Sequence, residues 1–140
     1  YTVNIARARN PVEEVKKLTN GFGADVVIET AGTPSAQEQS LKMAKRGGRV
    51  VMVGLTGGDN LTINPDAELL TKELDVKASF FSAHAYQDAI KIIHSGRFGL
   101  KRIITHVFPL RDVEKAFRME VEKGEDIIKA LLDPWALTPK

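Results

Sequence analysis

The stretch from Gly23 to Leu55 restricts the fold more than any other: GADVVIETAG, then TPSAQEQSLKMAKR, then GGRVVMVGL. Its two apolar runs, residues 26–28 and 50–53, are too short for helices and rich in β-branched side chains, so each predicts a strand buried on both faces. Between them a helix is signalled from both ends. Thr33 can cap it, Pro34 suits its first position, Ser35 and Glu38 stand at capping-box spacing, and Gly47 and Gly48 end it. Strand, helix and strand within about 30 residues make a βαβ unit whose right-handed crossover sets the two strands parallel. The other elements extend that sheet or pack on it.

Ahead of this unit, Asn10 and Pro11 predict a helix start, Val12, Val15 and Leu18 form an apolar face, and Gly21 and Gly23 stop it. Residues 1–5 read as the tail of a short strand with no start signal before it, so the chain is expected to begin inside a larger unit. Beyond the βαβ unit a Gly-rich loop at 56–60 leads to a β-like run (Leu61, Thr62, Ile63, Asn64), a short helix over 67–74 and a strand from Val76 to Phe81. From about Ser82 the pattern changes. Tyr86, Ala89, Ile90 and Ile93 recur at helical spacing up to Ser95 and Gly96. A strand over 103–107 is stopped by Pro109, Asp112 begins a helix ended by Gly124, and a last strand covers 127–132.

A net charge of +2 from 20 basic and 18 acidic side chains is too balanced for a nucleic-acid or membrane surface. With no cysteine there is no disulfide and no thiolate metal site. No apolar run approaches the ~18 residues of a membrane span. The expectation is a cytoplasmic protein that recruits neither nucleic acid nor membrane. His84, His94 and His106 lie on different elements without ligand spacing, so they are expected to be structural or surface residues.

The segments GADVVIETAG, GGRVVMVGL, LTINP, HSGRFGLKRIITHVFPLRDVEKAF and the closing strand, taken in order, resemble the C-terminal part of the zinc-type medium-chain alcohol dehydrogenases, which include alcohol, sorbitol and threonine dehydrogenases. The resemblance implies an α/β fold: a partial Rossmann-type parallel sheet in residues 1–80, the second half of an NAD(P)-binding domain, and a returning catalytic-domain segment in 81–140. It implies hydride transfer between an alcohol or polyol and a nicotinamide cofactor, NAD favoured over NADP. The family's GxGxxG turn, its ribose-binding acid and its zinc ligands have no counterpart in this sequence, so zinc belongs to the parent enzyme only. No catalytic or metal-ligating residue is assigned. The chain by itself is expected to be inactive and to bind no stoichiometric zinc.

Ligands of open α/β sheets sit beyond the carboxyl ends of the strands. Three loops qualify: Thr30, Ala31 and Gly32; Val53, Gly54 and Leu55; and Ser79, Phe80 and Phe81. The family's matching positions line the nicotinamide and its ribose. Gly32 and Gly54 let main chain approach a flat ring, or else make tight turns. On the ring reading, Gly54→Val should raise the cofactor Michaelis constant more than it lowers thermal stability. Glu29 is read as a polar-network residue and Arg46 and Arg49 as solvated. Lys129 stands near where many members place a basic residue on the pyrophosphate, but alignment puts Ile128 there. The resemblance also implies a homo-oligomer through Leu61, Thr62, Ile63 and Asn64 and the strand from Val76 to Phe81. Two alternatives are an S-adenosylmethionine-dependent methyltransferase fragment, which should end in an antiparallel hairpin, and a non-catalytic self-association module.

Overall fold

The computed structural model describes residues 1–81, 85–122 and 127–136 and divides the chain into two units, residues 1–83 and 84–140. In the first unit, Asn10 Oδ1 accepts the N–H groups of Val12 and Glu13 at 3.1 and 3.4 Å and so opens α1 (Pro11–Leu18). β1 (Ala24–Glu29) follows, and then α2 (Pro34–Met43), capped by Thr33 Oγ1 on the Ala36 N–H at 3.2 Å. β2 (Ala44–Met52), a wide five-residue turn (Asp66–Leu70) and β3 (Asp75–Ala78) complete the unit.

The sheet has the order β1-β2-β3 and is parallel throughout. Its register aligns Val27, Val50 and Val76, and two residues on Glu29, Met52 and Ala78. Side chains two apart share a face, and this face carries the core. Leu41, Ala44 and Val50 are buried there, with Val27, Met52, Ile63, Leu69 and Leu74 packed against them.

The other face overturns the expectation of strands buried on both sides. Val26 and Ile28 are 52% and 65% exposed, and Arg49, Asp75 and Lys77 share their face. No described residue of the unit covers them. Arg49 is exposed there but paired, its Nε 2.6 Å from Asp75 Oδ2.

Several local expectations change for identifiable reasons. α2 stops at Met43, ahead of the glycine pair, and β2 starts at once. Ala24 pairs with Ala44 but Val26 with Arg49, so residues 45–48 bulge from the ladder. Gly48 lies so near Lys45 O that a Cβ would stand 2.7 Å from it, and the Gly47 N–H donates to Lys72 O at 2.7 Å. The pair shapes a bulge instead of ending a helix. With Thr33 as cap, Ser35 and Glu38 form no capping box: Ser35 Oγ accepts from Gln39, and Glu38 Oε1 accepts the Thr62 N–H at 2.8 Å. Residues 1–5 and 61–64 pair with no described strand, and the helix expected over 67–74 shortens to the wide turn.

Lys72 closes the end of α2 by donating to Leu41 O at 2.5 Å. Burial, assisted by the charge of Lys16, pushes its ammonium below the usual lysine range.

The second unit comprises α3 (Tyr86–His94), a 3-10 turn (Leu100–Ile103), β4 (His106–Pro109), α4 (Val113–Val121) and β5 (Ala130–Asp133). Residues expected to begin a strand at 103 wind into the 3-10 turn, which moves β4 three residues on. β4 and β5 are parallel, with His106 opposite Ala130 and Pro109 opposite Asp133. Phe108 and Ala116 are buried where α4 crosses between them. A methyltransferase's closing antiparallel hairpin is therefore not what this segment forms. Gly124 and His84 lie outside the described residues.

Candidate functional site

Three parallel strands end side by side, and a hydrogen-bond ladder passes from each loop to the next. The N–H groups of Val53 and Gly54 donate to Glu29 O at 2.9 and 3.2 Å, and the Ser79 N–H donates to Met52 O at 2.9 Å. Thr30, Ala31 and Gly32, then Val53, Gly54 and Leu55, then Ser79, Phe80 and Phe81 thus follow in sheet order beyond the carboxyl ends.

The first two loops touch. A Cβ on Gly32 would lie 2.5 Å from Leu55 O, and one on Gly54 would fall on the Gly32 amide nitrogen and 2.5 Å from Gly32 Cα. Gly32 also has φ +71°, a conformation that side-chain-bearing residues rarely adopt. The missing side chains therefore make room for the neighbouring loop. Thr30, Ala31, Val53, Leu55 and the third loop are exposed, so the surface offered outward combines the apolar side chains of Ala31, Val53, Leu55, Phe80 and Phe81 with the polar Thr30 and Ser79. Phe80 and Phe81 meet edge to face at 4.3 Å between ring centroids, and Phe81 holds φ +53°, an outlier for an aromatic residue.

Beneath the loops, Glu29 is buried; its Oε1 accepts the Gly32 N–H at 2.8 Å, whereas Oε2 has no partner among the described residues. Gln37 is the residue the sequence reading missed. It is buried on α2, and its Nε2 donates to Gly54 O at 3.0 Å. Its signal is present in retrospect: Gln37, Ser40, Leu41 and Ala44 fall at helical spacing on the buried side, so a polar residue there must have an internal partner.

Lys129 belongs to the second unit, where it lines a cavity of about 230 Å³ with Ala116, Phe117, Glu120, Ala130 and Leu132. His106 Nδ1 lies 3.0 Å from Thr105 Oγ1, and His94 ends α3. Among the described residues no three His, Cys, Asp or Glu side chains gather into a possible metal site. No described helix is long and apolar enough to cross a membrane.

A parallel sheet with a helix crossing between its strands and loops assembled at the carboxyl ends defines an α/β protein of Rossmann type. The model of the zinc-binding dehydrogenase family matches residues 1–95, and the chain belongs to that family. It is 34% identical over 125 residues to a zinc-type alcohol dehydrogenase-like protein of Escherichia coli strain K12, covering 86% of this chain and 34% of that protein. To the erythritol/L-threitol dehydrogenase of Mycolicibacterium smegmatis it is 37% identical over 133 residues, covering 95% of this chain and 36% of the other. The solved alcohol dehydrogenase of Thermus sp. ATN1 superposes with a TM-score of 0.81 at 30% identity, over 93% of this chain and 37% of that one. The chain thus spans about a third of the length of these relatives.

Proposed function

We propose that the chain supplies the nicotinamide end of the cofactor site of an NAD(P)-dependent alcohol or polyol dehydrogenase, NAD being favoured. Residues 1–80 are the second half of its cofactor domain and 81–140 a part of its catalytic domain. The observation that carries the reading is the ladder joining three consecutive strand-end loops, with Thr30, Ala31 and Gly32, Val53, Gly54 and Leu55, and Ser79, Phe80 and Phe81 as the contact set. Exposed apolar side chains beside the polar Thr30 and Ser79 suit a flat ring bearing a carboxamide. The cofactor supplies the hydride acceptor, while the chain's own residues hold and orient the ring. A small alcohol is the second substrate, in a cytoplasmic enzyme whose zinc ligands lie outside this sequence.

Saturation-transfer NMR with NAD tests this reading. Transfer to the nicotinamide ring protons is expected to exceed transfer to the adenine protons. Equal transfer, or none, sinks the assignment. Alcohol oxidation by this chain alone, or stoichiometric zinc in it, would equally contradict the reading.

Association of two copies is part of the same proposal, through the edge of β3 and the run Leu61, Thr62, Ile63 and Asn64. The run is not a strand within one chain, and its Thr62 N–H is already taken by Glu38, so the β3 edge from Val76 onward carries more of the proposed pairing. The Ser79 N–H faces β2, and alternation turns the Ala78 N–H toward the open edge. Sedimentation at tens of micromolar should show a dimer, and Ala78→Pro, which removes an edge donor without touching the ladder to β2, should shift it to monomer. A parent chain that already sediments as a monomer excludes the pairing.

A further inference from the structure

Glu29 is 5% exposed, and its oxygens divide between two loops. The main-chain oxygen accepts Val53 and Gly54 N–H in the loop after β2, while Oε1 accepts the Gly32 N–H in the loop after β1. Oε2 is buried without a donor among the described residues, and a Cβ on Gly54 would stand 2.9 Å from it. A buried carboxylate oxygen with no donor is costly, and a leucine would fill the same end of β1 without that cost. Strand stability therefore does not account for the residue. Linking two loops does, because the side chain holds one of them and the main chain holds the other.

We propose that Glu29 is a positioning residue that couples the loop after β1 to the loop after β2, so that a ring-shaped ligand meets both in a single arrangement. The ligand part rests on the cofactor reading above. Gln37 completes the coupling from the other side by holding the Gly54 carbonyl.

The test is amide hydrogen exchange on the full chain without ligand, together with NADH titration followed by amide chemical shifts. In Glu29→Leu, exchange should accelerate by about tenfold or more at Gly32, and also at Val53 and Gly54, whose acceptor the substitution leaves in place. Glu29→Gln keeps an acceptor for Gly32 and should restore all three. Acceleration confined to Gly32 overturns the coupling, and so does equal acceleration at Val27 and Val50, which would mean general unfolding. Should the leucine variant fail to fold, Glu29→Asp, whose shorter side chain retracts from Gly32, serves in its place. For NADH, the leucine variant should bind about tenfold more weakly and the glutamine variant within about threefold of the parent. Unchanged binding by the leucine variant removes the positioning role. If the parent shows no saturable NADH binding the cofactor reading fails by itself, and the exchange pattern still decides the coupling.

Discussion

Replacing Gly54 with valine is expected to lower the melting temperature by about 10 °C or more. The new Cβ would fall on the Gly32 amide nitrogen, 2.5 Å from Gly32 Cα and 2.9 Å from Glu29 Oε2. Two of these contacts are main chain, which cannot swing aside as the tip of a flexible side chain does. Overpacking of a well-filled site costs about 1–3 kcal/mol, and a backbone that must separate puts this site at the upper end. For a chain of this size each kcal/mol moves the melting point by roughly 3–4 °C. The outcome reverses the ranking drawn from sequence, in which cofactor affinity suffers first. Valine at Gly57 is the comparison, because a Cβ there meets nothing within 4 Å and only the strain of φ +71° is added. Thermal unfolding followed by circular dichroism measures both. A Gly54→Val variant that melts with the parent yet loses contact with NAD would return the glycine to the role of ring neighbour.

Leu41→Ala and Ile28→Ala remove side chains of similar size and should differ severalfold in cost. Leu41 is 1% exposed in the cluster with Ala44 and Val50, so truncation leaves a cavity under the sheet and should cost about 3 kcal/mol. Ile28 is 65% exposed on the open face and should cost under about 1 kcal/mol. Urea unfolding at low protein concentration separates the two. An Ile28→Ala cost equal to that of Leu41→Ala would mean that the open face is covered in solution.

Much of the first unit was legible because its signals are local. Thr33 and Pro34 start α2 where their hydrogen-bonding and φ preferences allow little else, and Asn10 does the same for α1. The β-branched run at 26–28 and the run at 50–53 lie in the strands they predict, except that β2 ends at Met52. The failures share a cause. Gly47 and Gly48 were read as a helix stop because glycine after a helical run usually is one, whereas pairing of Ala24 with Ala44 drew the chain into the sheet first and left the glycines to form a bulge. Ser35 and Glu38 have the right spacing for a capping box but the wrong frame, since the cap is two residues earlier.

Local chemistry by itself determined the parallel βαβ unit, its helix start and the three loops worth attention. The tertiary structure decided what those loops are made for internally. That Gly32 and Gly54 make room for each other, that Glu29 and Gln37 hold Gly54 by its two ends, and that the described residues of the first unit cover one sheet face and leave Val26 and Ile28 exposed on the other all depend on residues 17 or more apart in some pairs being brought into register. Spacing along a chain encodes hydrogen bonds within a turn or a helix. It does not encode which backbone will occupy the space where a side chain is missing, because that space exists only after the strands have paired.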